Sequence, residues 1–212
     1  LSAKFPDYLA NILFIFRGEK KFIVNSSSKI EKDDLIYMVV ETQNLKDVLR
    51  EFGHKEVQAQ KIVIIGGGNI GFSLAELIEK DDNGISTELI EMNKERAEFI
   101  ASNLNKVTVT NGDGLDNQIL DEVNIAEAGY CLAVTEDDEV NVLASLLAKR
   151  AGTKQCMALI NNSSYTSLLS NIGIDITIDP KLITISKILE KVRGGGIMND
   201  YSIGDGFGEV IE

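Results

Sequence analysis

The residues best suited to chemistry are Gly66-Gly67-Gly68-Asn69-Ile70-Gly71. They follow the β-branched run Lys61-Ile62-Val63-Ile64-Ile65 and lead into Ile70, Leu74, Leu77 and Ile78 at helical spacing. In the pattern Gly66-x-Gly68-x-x-Gly71, one glycine turns the chain, one lets backbone approach a pyrophosphate, and one lets helix pack on strand. Phosphates would lie on the unpaired N–H groups that open the helix. Glu91, 20 residues beyond Gly71 at the end of a second predicted strand, Thr87–Glu91, could accept hydrogen bonds from both ribose hydroxyls of an adenosine and would repel a 2′-phosphate. The pattern therefore predicts NAD or an adenine nucleotide rather than NADP. The plain alternatives are a tight turn and a solvated strand-end glutamate; the order strand, glycine turn, helix favours the ligand.

Stepping outward from the glycines, strand and helix alternate. A helix at 69–80 precedes Thr87–Glu91; Asn93 caps a helix to Asn103; Lys106–Thr110 is a third strand, followed by the turn Asn111-Gly112-Asp113-Gly114 and a helix through Val123. Tyr130–Val134 is a fourth strand, and helix 136–150 carries Val140, Leu143, Ala144, Leu147 and Ala148 on one face. Gln155–Ile160 is a fifth strand, Ser163 or Ser164 opens a helix ending at Gly173, and Ile174–Ile178 is a short strand. Asp179-Pro180 then starts a helix with Leu182, Ile185, Leu189 and Val192 on one face. This alternation specifies an α/β, Rossmann-like doubly wound parallel sheet. Residues 1–58 read instead as a small β-rich α+β lobe: a hairpin of Ile12–Phe16 and Phe22–Val24, a strand at Leu35–Val40, and a helix capped by Thr42 and stopped at Gly53. The polar run 54–60 is the expected linker.

Ligands in such a fold lie over the carboxyl ends of the strands, which collects Gly66 to Gly71, Glu91 to Asn93, Gly112 to Gly114, Thr135 and Glu136. Asp113 could reach the adenosine or could equally form an ordinary Asx-Gly turn. Thr135-Glu136-Asp137-Asp138-Glu139 invites a divalent-cation reading, yet Thr135 with Asp138 fits a capping box and acidic residues suit a first helical turn. Capping is the preferred reading, with Thr135 kept as a pocket residue. The only histidine, His54, precedes the fold, so no Ser-His-Asp or Cys-His arrangement assembles; Lys94 and Tyr165 read as surface residues. A nucleotide site without visible catalytic apparatus suggests a sensor.

Composition narrows the classes further. The formal net charge of −12 argues against a nucleic-acid phosphate tracker. Cys131 and Cys156 lie in apolar runs without metal-ligand spacing and read as buried thiols of a reducing compartment. No apolar run approaches the roughly 20 residues of a spanning helix. Without an initiator methionine or signal pattern, the sequence reads as a piece of a longer cytoplasmic protein.

Several motifs in order, Ile62-Val63-Ile64-Ile65 with the glycine turn, Leu89-Ile90-Glu91 with Glu95-Arg96-Ala97, Asn111-Gly112-Asp113-Gly114, and Ala133-Val134-Thr135 through Asn141, resemble the nucleotide-binding lobe of the regulator-of-potassium-conductance family, also called RCK or KTN domains. The resemblance continues through Leu143–Arg150, Ala158–Asn162 and Ile178-Asp179-Pro180. It implies a C-terminal-type lobe of a preceding unit at 1–58, including Phe5-Pro6-Asp7 and Phe16–Glu19, a nucleotide lobe at 59–198, and the first strand of a following lobe at 199–212. It also implies a non-enzymatic cytoplasmic gating subunit, peripheral to the inner membrane. That subunit would bind NAD(H), ADP or ATP, form a homo-oligomer and act on a membrane potassium transporter subunit of the TrkH type. By motif, Gly66, Gly68, Asn69 and Ile70 face the phosphates and Glu91 holds the ribose; Asn93, Arg96, Asp113, Gly114, Thr135 and Glu136 complete the pocket. Some relatives carry arginine at the Asn69 position, suited to a terminal phosphate; asparagine supplies no such charge. The residues alone leave two rivals: an NAD-dependent oxidoreductase fragment and a structural assembly module without ligand.

Overall fold

A computed structural model describes residues 10–18, 20–25, 27–53, 60–81, 84–162, 169, 172–192, 200–203 and 208–211. The linker histidine, Phe5-Pro6-Asp7 and most of the helix expected at 163–173 lie outside these residues. The chain separates into two compact units, Leu1–Gln58 and Ala59–Glu212.

In the first unit, β1 (Ala10–Arg17), β2 (Lys20–Ile23) and β3 (Leu35–Val40) form an antiparallel sheet in the order β2-β1-β3. Arg17 pairs with Lys20, and the chain leaves β1 through Gly18 at φ +58°. Thr42 does not cap the following helix. Thr42–Asn44 form a 3-10 turn before α1 (Leu45–Glu51), because the Glu41 carboxylate accepts from the Gln43 and Asn44 amides and its carbonyl from Asn44 N–H. Gly53, at φ +81°, ends the helix as expected.

Arg17 also ties the long β2–β3 connection. Its Nε and Nη2 donate to the two Asp34 carboxylate oxygens at 2.7 and 2.8 Å, Nη2 donates to the Lys29 carbonyl, and Nη1 pairs with Glu31. That fork, with the Glu31 backbone N–H, holds the Asp34 carboxyl at about 2. A depressed folded-state value contributes stability above the unfolded carboxyl range and loses it as protons are added. The first unit is thus expected to keep its stability down to about pH 4 and lose this contribution between about pH 4 and pH 2. Arg17→Gln should remove that acid step; the Tyr37 ring resonances followed by NMR during acid titration of both forms are the check.

The second unit holds β4 (Lys61–Ile65), α2 (Asn69–Asp81), β5 (Ser86–Glu91), α3 (Lys94–Asn103), β6 (Val107–Asn111), α4 (Asn117–Glu122), β7 (Tyr130–Ala133), α5 (Asp138–Ala151), β8 (Gln155–Leu159), β9 (Ile176–Ile178) and α6 (Pro180–Val192). Strands β4 to β9 form one six-stranded parallel sheet, in the order β6-β5-β4-β7-β8-β9. The unit is a Rossmann-like α/β fold. Strand side chains alternate between two buried faces: Val63, Ile65, Ile90, Cys131 and Ala133 meet the α4–α5 side, while Ile64 and Leu89 meet the α2–α3 side. Burial on both faces explains the nearly unbroken β-branched runs. Cys131 and Cys156 are buried neighbours in register across β7 and β8.

Two elements differ from the reading of the sequence, and a third, the apolar row of α6, is one that reading leaves without an assigned partner. Helix α5 begins at Asp138 with Asp137 as its cap, not with Thr135: the Asp137 carboxylate accepts from Val140 N–H at 2.9 Å. The apolar row of α6 is not buried against the sheet: Leu182 is 60% and Val192 75% exposed. The terminal segment carries two strands rather than one, β10 (Asp200–Ile203) paired antiparallel with β11 (Gly208–Ile211); Gly-Asp-Gly in the sequence between them is a turn former. Among the described residues no helix is long and apolar enough to cross a membrane.

Candidate functional site

The sheet order reverses direction between β4 and β7, and at such a switch point the loops part to leave a crevice over the strand ends. Here that crevice is a cavity of about 790 Å³. Its walls are the turns after β4, β5, β6 and β7, the four turns collected from the sequence.

The glycine turn divides its tasks by position. Gly66, at φ +106°, reverses the chain at the end of β4, and its N–H donates to the Ile90 carbonyl at 2.9 Å. A Cβ on Gly71 would stand 1.9 Å from the Gly66 carbonyl oxygen, so α2 can start this close to the turn only without a side chain there. A Cβ on Gly68 would meet nothing within 4 Å; it would project into open cavity, where another molecule could come against bare backbone. The first N–H groups of α2 have no acceptor within the helix.

Glu91 closes the neighbouring wall. One carboxylate oxygen accepts from Gly67 N–H and the other from Asn93 N–H, both at 2.7 Å. An ionised carboxylate can accept about four hydrogen bonds, so each oxygen keeps a lone pair for a ligand hydroxyl. The Asn111 amide donates to the Glu91 and Met92 carbonyls at 2.9 and 3.0 Å and fixes this strand end. Asn93 caps α3, its side-chain oxygen accepting from Arg96 N–H. The Arg96 guanidinium lies against a pair of rings that touch each other, 5.3 Å from the Phe72 centroid and 5.0 Å from that of Phe99 with the two centroids 5.7 Å apart, and its Nε donates to the Gly67 carbonyl at 2.7 Å. One guanidinium thus braces the glycine turn from outside.

Of the residues named from the sequence, Gly66, Gly68, Asn69, Glu91, Asn93, Arg96, Asp113, Gly114, Thr135 and Glu136 border this cavity. Ile70 does not; its side chain, 48% exposed, points off the first turn of α2 outside the lining. Asp113 holds both of its expected positions, accepting from Leu115 N–H as an Asx turn while lining the cavity. The lining includes four carboxylates, Glu91, Asp113, Glu136 and Asp137, against a single cation, Arg96.

Two residues that matter to the site escaped the reading. Asn141 is fully buried beside the apolar face of α5. Its Oδ1 accepts from Thr135 N–H and Oγ1, both at 2.8 Å, while its Nδ2 donates to the Thr135 and Leu159 carbonyls at 3.0 and 2.9 Å. The available signal was an asparagine beside Ala144 and Ala148 at helical spacing, since a polar side chain on a buried helix face must find partners. Asp138 is 8% exposed and is no first-turn ornament: its oxygens accept from Asn161 N–H and Asn162 N–H, both at 2.8 Å, and from the Asn161 side-chain amide. Burial pushes this carboxyl up, but the donors at Asn161 and Asn162 and the nearby Lys181 charge outweigh it, and it titrates below the ordinary range. Among the described residues no group of three or more His, Cys, Asp or Glu side chains is placed to hold a metal ion.

The chain resembles known proteins along its whole length. It is 40% identical over 212 residues to the Trk system potassium uptake protein TrkA of Azorhizobium caulinodans, matching all of this chain and 46% of that protein. The same-named protein of Vibrio alginolyticus is 36% identical over 207 residues, 98% of this chain and 44% of the relative. The chain therefore spans about half the length of these curated relatives. Among solved structures, the GsuK RCK domain superposes with a TM-score of 0.61 at 18% identity, covering 91% of this chain and 41% of that one. The GsuK channel bound to NAD gives 0.56 at 16% identity over 77% of this chain and 33% of that one. The profile of the TrkA-N domain matches residues 62–180, the stretch from β4 to the first residue of α6, and the chain belongs to the TrkA-N domain family.

Proposed function

We propose that this chain is the nucleotide-sensing part of a cytoplasmic, homo-oligomeric regulatory subunit of a Trk-type potassium uptake system. It binds an adenine dinucleotide or nucleotide and passes its occupancy to a membrane transporter subunit of the TrkH type, without catalysing a reaction. The observation that carries this reading is the glycine turn opening beside Glu91 on one unobstructed cavity. Gly68 leaves its backbone open to a phosphate, and the spare lone pairs of Glu91 suit the two ribose hydroxyls. The naming of the relatives as Trk potassium uptake proteins and of a similarly folded channel as bound to NAD supports it.

The charge of the lining refines the ligand. Four carboxylates against Arg96 favour the least anionic candidate, and Asn69 adds no cation where a terminal phosphate would lie. NAD, whose nicotinamide cation offsets one phosphate charge, is expected to bind tightest, followed by NADH, then ADP and ATP. Titration calorimetry of the chain in metal-free, low-salt buffer should find NAD at least about tenfold tighter than ATP, a gap of ~1.4 kcal/mol. The gap should narrow in high salt as the carboxylates are screened. ATP binding more tightly than NAD would overturn the ranking; no nucleotide binding at all would overturn the sensor, and hydride exchange with an added alcohol or hydroxy acid would favour the oxidoreductase reading.

A further inference from the structure

The turn between β7 and α5 belongs to two structures at once. On one side Thr135, Glu136 and Asp137 border the nucleotide cavity. On the other, Glu136, Asp137 and Asp138 border a second hollow of about 820 Å³ that reaches Asn161, Asn162 and Lys181 at the start of α6. Hydrogen bonds run through the wall between them. Thr135 is fixed by Asn141, which also holds the Leu159 carbonyl. Asp138 holds the N–H groups of Asn161 and Asn162, and the Asn161 carbonyl accepts from Lys181 Nζ at 2.8 Å.

Resting on the nucleotide site proposed above, we infer that Asp138 is the positioning residue of a polar clip that makes that cavity and the start of α6 shift as one unit. Asn141 and Asp138 are buried and fully engaged, so separating their partners would strand an amide or a carboxylate away from water. Breaking the clip is costly; moving it whole is not. The first turns of α6 can follow at low cost, since Leu182, Ile183 and Ile185 are exposed and bury little apolar surface there. The Asp179 cap, accepting from Lys181 and Leu182 N–H, ties the first turn of α6 to the end of β9. The second hollow gives that turn room to move without displacing packed side chains. A phosphate entering beside Glu136 and Asp137 repels the wall shared by both cavities, so the ligand acts on the clip from its charged side. The coupling is allosteric because the ligand then has different affinity for the two positions of the turn.

Amide hydrogen exchange at residues 159–162 and 181–186, with and without saturating NAD, tests this in the unmodified chain, Asp138→Asn and Lys181→Met. Without ligand, both variants are expected to exchange about tenfold faster than the parent at these amides, with α2 unchanged. NAD is expected to slow the α6 amides in the parent and to leave them unslowed in Lys181→Met, although calorimetry shows it bound. Lys181 is a surface residue outside the nucleotide cavity, so this variant guards against misfolding of Asp138→Asn. Parental exchange rates in ligand-free Lys181→Met, or equal slowing of α6 by NAD with and without Lys181, would overturn the clip. Absence of NAD binding in the parent is seen separately by calorimetry and overturns the site and its coupling together, while the ligand-free comparison still judges the clip.

Discussion

Gly71→Ala is expected to disable the second unit, and Gly68→Ala, three residues away, to leave it folded but poor at binding. The Gly71 Cβ would stand 1.9 Å from the Gly66 carbonyl oxygen. Neither atom has a rotamer through which to escape, because the position of a Cβ, like that of a carbonyl oxygen, is fixed by the backbone at the joint of β4 and α2. Relief requires α2 to withdraw from the sheet, taking Ala75 out of contact with Ile64 and Leu89. Overpacking of a core costs about 1–3 kcal/mol, and a clash with backbone belongs at the top of that range or above it. The urea midpoint of the second unit should fall by roughly 1 M or more. At Gly68 the added methyl meets no protein atom within 4 Å, so stability should stay within about 0.5 kcal/mol of the parent. The methyl does occupy space a phosphate would take, and nucleotide affinity should fall at least about tenfold. A parental midpoint for Gly71→Ala would mean that the helix does not approach the turn as described; parental affinity for Gly68→Ala would mean that no ligand lies against that backbone.

Glu91→Gln is expected to cost more affinity than its small change of shape suggests. The carboxylate accepts from Gly67 N–H with one oxygen and Asn93 N–H with the other. A glutamine has one acceptor oxygen and one NH₂, so one of these N–H groups must face a donor. The glycine turn loses a brace in the same step that the ribose loses an ionised acceptor. Hydrogen bonds to charged groups contribute about 1.5–3 kcal/mol each, and two ribose bonds put the expected loss for NAD at roughly 100-fold. Removing the negative charge should also shrink the preference for NAD over NADP, since repulsion of the 2′-phosphate goes with it. This ratio separates a ribose contact from a damaged turn, because a merely distorted turn weakens both ligands alike. Equal losses for NAD and NADP would falsify the ribose role and leave Glu91 as a brace for Gly67 and Asn93.

How much of this was legible depended on how local the cause is. The glycine turn was readable because the positive φ of Gly66 and the approach of Gly71 to the Gly66 carbonyl are demands set within six residues, and Asn93 because a cap acts on the N–H three residues on. Asp113 could be read both ways from its sequence, and it does both things. The Thr135 cap was misread because two acidic residues in a row each fit the start of α5; only the position of Asn161 and Asn162 decides that Asp137 caps and Asp138 reaches across. The Arg96 stack was likewise out of reach, since Phe72 comes from a different helix.

By itself the sequence determined that the second unit is an alternating α/β sheet, where its strands lie, and that a glycine turn and a strand-end glutamate face one crevice. Hydrophobic periodicity and turn chemistry are written in neighbouring residues, and the parallel order follows from the handedness of the crossovers. Only the tertiary structure decided that Ile70 stands outside the cavity, that the apolar row of α6 stays exposed, and that Asn141 and Asp138 bind the turn after β7 to the segment after β8. Those outcomes depend on groups 18 to 24 residues apart in the chain and on which face of a helix finds a partner. Periodicity reveals that a side chain has an apolar or polar face to satisfy, while the identity of the group that satisfies it is fixed only when the sheet brings the two together.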